Sequence, residues 1–223
     1  MGGDLLRRFD RSPLLMAKAL WPHVEFWGKQ REVLEAVRTS HETIVVAGNQ
    51  LGKDFCAGGL VVLFFLRPQA FFPEAHVRQV EASKDPTEVN PHFVRVLTTS
   101  VRQDHLDVLW GEIRRFVQTC SLPLTRDRGG PLKLNDLEVT KFMEDGRADP
   151  KSYVKGLVSK EAEGMAGHHA PYTLVVGDEA SSISDEFRRQ CQGWAKRMLW
   201  IGNPNPCQTF FQRDSEAGDL LVS

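Results

Sequence analysis

Residues 43–54 read TIVVAGNQLGKD and run directly into FCAGGLVVLFFL, residues 55–66. Thr43 to Ala47 is a short apolar, β-branched run of the kind that forms a buried strand, and Cys56 to Leu66 has the continuous apolar character of a buried helix. Between them lies a loop with spaced glycines and a Gly-Lys pair. A loop that joins a strand to a helix in this way can wrap a polyphosphate. Gly52 lets the backbone approach closely, successive amide hydrogens and the helix N-terminus offer partial positive charge, and Lys53 reaches the outer phosphates. Gly48, Asn49, Gln50, Leu51, Gly52, Lys53 and Asp54 are therefore expected to line a nucleotide. A glycine-rich β-to-α turn without a ligand is the alternative.

The loop departs twice from the usual GxxxxGK[ST] pattern. Ala47 stands at the first glycine, and Asp54 replaces the Ser or Thr whose hydroxyl ligates Mg²⁺. A carboxylate can also ligate Mg²⁺, but it adds a negative charge beside the phosphates. Two unit charges ~4 Å apart at an intermediate dielectric repel by about 4 kcal/mol. Slow, strongly metal-dependent or lost hydrolysis are the corresponding expectations.

Downstream, Thr173 to Gly177 (TLVVG) reads as a second buried strand, and it ends in Asp178-Glu179-Ala180. Carboxylates at the C-terminal edge of a parallel sheet stand where open α/β folds bind ligands. Asp178 is then placed to hold the metal, and Glu179 to orient and deprotonate the water that attacks the terminal phosphate. An acidic first turn of a helix would look the same locally.

The remaining pattern is α/β. Apolar positions at helical spacing mark Phe26 to Arg38 and Gln103 to Gln118. Arg95 to Thr99, Tyr153 to Ser159 and Arg197 to Ile201 read as further strands, and Asp185 to Gly193 as a helix. Leu132 to Phe142 alternates enough for a hairpin or an insertion at the sheet edge. The expected architecture is a mainly parallel central sheet flanked by helices. Residues 1–223 form one domain in this reading: a helical segment to residue 40, a core over 41–206, and the start of a linker over 207–223. No closing element is recognisable after the last strand, as expected of one part of a larger protein.

Composition agrees with a single sizeable core, with 41% hydrophobic and 26% charged residues in a chain of 223. The longest apolar run is shorter than a membrane span requires and the N-terminus lacks signal-peptide order, so a soluble, intracellular protein with no membrane partner is expected. Cys56, Cys120, Cys191 and Cys207 form neither a zinc-knuckle spacing nor a disulfide framework. With a net charge of −1, any nucleic-acid contact must come from local clusters. Arg7/Arg8, Arg114/Arg115, Arg126/Arg128, Lys151/Lys155/Lys160 and Arg188/Arg189 are the candidates, each read first as a solvated face.

The sequence resembles the N-terminal ATPase domain of phage large terminases, the motors that package double-stranded DNA. The resemblance spans most of the chain. It rests on FWGKQ at 26–30, AGNQLGKD at 47–54, RVLTTSVRQDHLD at 95–107, EGMAGHHAPYTLVVGDEA at 163–180, and IGNPNP at 201–206 followed by TFFQ. It implies a P-loop NTPase fold of the ASCE type, ATP as substrate and Mg²⁺ as cofactor. It also implies that Gln30 reads the adenine edge, and that Asn203 senses the terminal phosphate and couples it to motion. Phe26 or Trp27 against the purine and plain core aromatics remain equal readings, and an Asn-Pro turn is the plain reading of Asn203.

The implied partners are double-stranded DNA, the portal of a procapsid, the small terminase subunit and further copies of the chain in a ring, in the host-cell cytoplasm. Full-length members carry a C-terminal nuclease, for which this chain shows no acidic cluster, so DNA cleavage is not expected. The arginine finger of such motors has no clear counterpart. The loop lacks an arginine, and Met165-Ala166-Gly167-His168-His169 is the stretch where family members often have Arg-Gly. That His pair reads as a polar turn in preference to a metal pair. Arg102, Arg126, Arg128 and Arg147 are left as candidates. A helicase-like translocase and a nucleotide-binding domain with weak or lost hydrolysis are the alternatives.

Overall fold

Ser12 opens the first helix, accepting a hydrogen bond from the Leu15 amide at 3.3 Å in front of Pro13, whose fixed φ suits the first helical turn. The computed structural model describes residues 9–10, 12–48, 51–83, 92–158 and 167–216. In chain order the main elements are α1 (Pro13–Leu20), α2 (Gly28–Thr39), β1 (Glu42–Val46), α3 (Lys53–Leu66), α4 (Glu74–Ala82), β2 (Val94–Ser100) and α5 (Gln103–Thr119). They continue with β3 (Leu132–Leu134), β4 (Glu138–Phe142), β5 (Ala148–Val158), β6 (Tyr172–Gly177), α6 (Asp185–Gln192), β7 (Arg197–Gly202) and α7 (Phe210–Glu216).

The strands form one sheet in the order β1-β7-β6-β2-β5-β4-β3. From β1 to β5 every neighbouring pair is parallel, whereas β4 and β3 join the edge antiparallel. Leu132 to Phe142 is thus a hairpin on the sheet edge, one of the two forms its alternation allows. The chain has the expected α/β fold, a mainly parallel sheet flanked by helices, with β7 inserted between β1 and the acid-bearing strand β6.

The strands are buried because both faces are covered, which accounts for their unbroken apolar runs. On one face α3 is enclosed from Cys56 to Phe65, and α5 lies over it. The buried residues of α5, Leu106, Leu109, Trp110, Ile113, Phe116 and Val117, recur at helical spacing. Gly58 and Gly59 set how closely the two helices approach. A Cβ on Gly58 would lie 2.8 Å from the Glu112 Cβ, and one on Gly59 would lie 2.9 Å from the rings of Phe26 and Phe116. Trp110 fixes α5 to the sheet by donating to the Thr98 hydroxyl at 2.8 Å.

The opposite face packs Ile44, Leu97, Val175, Met198 and Trp200 against Phe187 and Cys191 of α6 and Phe210 and Phe211 of α7. α7, which local pattern did not reveal, packs on this face after the last strand. Its two aromatics acquire meaning only from their target, the Trp200 ring 5.4 Å from Phe210 and the bare Gly202 backbone beside Phe211. Glu42 ties this face together, accepting from Arg188 at 2.7 and 2.8 Å and from the Trp200 indole at 2.5 Å. Arg188 is therefore a structural ion-pair residue rather than part of a basic face. Arg7, Arg8 and Lys160 lie outside the described residues. Among the described residues, no helix is long and apolar enough to cross a membrane.

Candidate nucleotide and metal site

Parallel strands β1, β7 and β6 deliver three chain segments to one edge of the sheet. Lys53 begins α3 beyond β1, Asn203 follows β7, and Asp178 and Glu179 follow β6. Because β7 lies between the other two, Asn203 stands between lysine and acid. Lys53 Nζ donates to Glu179 Oε1 at 2.7 Å and to Asn203 Oδ1 at 3.2 Å, while Asn203 Nδ2 donates to the same Glu179 oxygen at 3.5 Å. The Lys53 and Glu179 side chains are only 10% and 15% exposed, so the pair is shielded from bulk screening. Three residues far apart in sequence thus meet as a bonded triad.

Backbone conformation supports this placement. Gly52 has φ 70° and ψ 33°, and its carbonyl accepts the first helical bond of α3 from the Cys56 amide at 3.0 Å. That left-handed geometry is open to glycine at little cost. Glu179 adopts φ 51° and ψ 46°, the one positive φ at a non-glycine among the described residues. Such a conformation costs on the order of 1 kcal/mol or more and persists where surroundings over-determine it, commonly at functional sites.

Asp178 is 3% exposed, and its Oδ1 is buried without a hydrogen-bonding partner. Burial, then the charge of Asp54, pushes its carboxyl up to about 7, against the pull of Lys53. Asp54 is also raised, first by burial, with Lys53 opposing and Glu179 adding to it. Asp54 therefore belongs electrostatically to the acid cluster. An orphaned buried carboxylate oxygen among crowded acids suits a divalent cation, which supplies a positive charge and accepts oxygen ligands.

The structure adds a residue to which sequence reasoning gave no role. One ring nitrogen of His105 and one carboxylate oxygen each of Asp178 and Glu179 all lie within 4.8 Å of one another. His105 sits in the first turn of α5, immediately after β2, and β2 is the neighbour of β6. Strand order alone reveals this; QDHLD carries no local signal for it.

Gln30 is buried and bonded at both ends of its amide. Its Oε1 accepts from the Trp27 amide at 3.3 Å, and its Nε2 donates to the Gly52 carbonyl at 3.2 Å. It ties the start of α2 to the loop before α3, and its amide has a second N–H and a second lone pair to offer another partner. Together with Trp27, Val33, Ala47, Leu51 and Ile201 it lines a pocket that opens beside Lys53. The two readings of the aromatics now separate. Phe26 is core, its ring 5.5 Å from Phe55 and 6.1 Å from Phe116, whereas Trp27 is 41% exposed at the pocket.

Asn49 and Gln50 lie outside the described residues. His168 follows the left-handed Gly167 and bonds the Tyr153 hydroxyl. Of the arginine candidates, Arg102 caps α5 beside His105, its guanidinium paired with Asp104. Arg126 covers Phe142, and Arg147 precedes β5, both at the opposite edge of the sheet. Arg128 bonds carbonyls of Gln118 and Cys120 at the far end of α5.

No known family model and no curated protein matches the chain by sequence. Solved structures do match in shape. A mutant of the large terminase ATPase domain of Thermus phage P74-26 superposes with a TM-score of 0.60 at 14% identity, covering 88% of this chain and 71% of that one. The large terminase of bacteriophage HK97 gives 0.53 at 12% identity, covering 88% of this chain and 37% of that one. The chain has the fold of a phage large-terminase ATPase domain.

Proposed function

We propose that the chain is the ATP-hydrolysing motor domain of a phage large terminase and drives double-stranded DNA into a capsid. The observation that carries this reading is the convergence of Lys53, Glu179 and Asn203 on one point beside the orphaned oxygen of Asp178. The phosphates of ATP would lie along the amides that precede α3, with the purine in the pocket of Trp27, Leu51 and Gln30. Lys53 would leave Glu179 for the outer phosphates. Glu179, relieved of its counter-ion, would accept the proton of the attacking water. Asn203 would follow Lys53 and so report the terminal phosphate to β7 and α7.

Asp178 and Asp54 would hold Mg²⁺, which when bound neutralises phosphate charge and the acid cluster together. Partners in this reading are double-stranded DNA, the portal of a procapsid, the small terminase subunit and other copies in a ring. A second reading, nucleotide binding with weak or lost hydrolysis, draws on the acid excess that Asp54 creates.

Phosphate release measured with Mg²⁺, with and without double-stranded DNA, decides between them. The motor reading expects ATP hydrolysis by the parent, abolished in Lys53→Ala. A folded parent that binds ATP and releases no phosphate under any of these conditions supports the second reading. Equal, measurable turnover by parent and Lys53→Ala removes both.

A further inference from the structure

Three carboxylates, those of Asp54, Asp178 and Glu179, interact with one ammonium, that of Lys53. A magnesium site built only from the acids and a nucleotide would need no nitrogen, yet the fold brings one. The His105 ring nitrogen lies within 4.8 Å of carboxylate oxygens of both Asp178 and Glu179. Asp178 supplies an independent sign of a missing ligand, since it is 3% exposed and its Oδ1 has no partner.

We infer that His105, Asp178 and Glu179 form a nucleotide-independent binding site for a borderline transition-metal ion such as Co²⁺ or Zn²⁺, with His105 as its nitrogen ligand. Ligand chemistry sets the preference. Carboxylates alone suit Mg²⁺, whereas an imidazole shifts selectivity toward later divalent metals. One imidazole and two carboxylates leave further coordination positions for water. Glu179 Oε1 is engaged by Lys53, and a carboxylate has a second oxygen that can ligate a metal. The location rests on the reading of this edge as the nucleotide site; coordination by His105 does not require that ATP be turned over.

The test is a Co²⁺ titration of metal-free, nucleotide-free protein, followed by visible absorption, calorimetry and proton NMR, with Mg²⁺ titrated in parallel. The parent should bind Co²⁺ more tightly than Mg²⁺ and show a paramagnetically shifted, solvent-exchangeable imidazole N–H. His105→Ala should lose that resonance and weaken Co²⁺ binding more than about tenfold, the cost usual even for groups that only orient a ligand. Its Mg²⁺ affinity should change far less. If His105→Ala does not fold, His105→Gln decides by the same resonance.

A parent without the shifted resonance, or one whose Co²⁺ affinity and spectrum are unchanged in the variant, overturns the inference. Lys53→Ala separates this outcome from failure of the nucleotide reading. It should bind Co²⁺ at least as tightly as the parent, having lost a like charge beside Glu179, while losing stabilisation by ATP. If ATP still stabilises Lys53→Ala, the phosphate-loop assignment fails whatever His105 does.

Discussion

At the scale of single residues, the candidate site is held by a contact that the proposed hydrolysis would have to break. Lys53 and Glu179 are paired at 2.7 Å, so in the proposed mechanism the group that would activate water stays neutralised until a polyphosphate draws the lysine away. Glu179→Gln removes the carboxylate but not the bulk of the side chain. Turnover should fall about a hundredfold or more, the usual contribution of a positioned general base. ATP affinity should stay level or rise, because Lys53 no longer gives up an ion pair on binding. Asp178→Asn should instead weaken metal binding and raise the Mg²⁺ needed for half-maximal activity. Steady-state kinetics and equilibrium nucleotide binding on both variants check the contrast; equal, mild losses would reduce the acid pair to a helix-capping turn.

Asp178 also predicts a pH effect. An unfolded aspartate titrates near 3.9, whereas burial and Asp54 raise the folded group to about 7. Between these values the folded chain binds more protons than the unfolded one, so this group makes unfolding easier as pH rises through the window. Denaturant melts in a chelator should show that slope. Asp178→Asn should flatten it, and Asp54→Thr, which removes one neighbouring negative charge, should move its upper end to lower pH. A slope identical in all three proteins would mean that Asp178 does not titrate in this window.

Among the elements, α3 and α5 show how a helix is selected for closeness rather than propensity. Alanine exceeds glycine in helix propensity by about 1 kcal/mol, so exposed glycines on helices invite replacement. Gly111 on α5 has nothing within 4 Å of an added Cβ, whereas Gly58 on α3 would place one 2.8 Å from Glu112 and 3.0 Å from its backbone. Gly111→Ala should raise stability by roughly 0.5–1 kcal/mol. Gly58→Ala should lower it by about 1–3 kcal/mol, since overpacking outweighs propensity. Chemical denaturation of the two variants tests the sign as well as the size. Stabilisation by Gly58→Ala would show that α5 can move outward freely.

For the whole molecule, the site is an assembly of segments from β1, β2, β6 and β7, and a ligand that bridges them should stabilise the fold as a unit. ATP with Mg²⁺ at a hundredfold excess over its Kd should add about 2.7 kcal/mol by mass action, read as a rise in Tm. The rise should vanish in Lys53→Ala. An undiminished rise in that variant would place the nucleotide elsewhere.

The division between sequence and structure follows the range of the interactions. The alternation of strands with helices was legible because each element is written in contiguous residues with its own period, and the loop over 47–54 and the acid pair stood out as candidates through their own turn chemistry. The same holds for the edge hairpin, left open only as to its form. Other features had no local signature. TFFQ became a packed helix only because Trp200 and Gly202 offer its phenylalanines a surface. Phe26 and Trp27, adjacent and alike in sequence, were separated into core and pocket by the packing of α2 on α3. His105 joined the acids because β2 lies beside β6, and Asn203 reached Lys53 because β7 lies between β1 and β6. Strand order depends on contacts between residues many tens of positions apart, and no local pattern encodes it; the sequence by itself determined which groups could do the chemistry, and tertiary packing decided which of them meet.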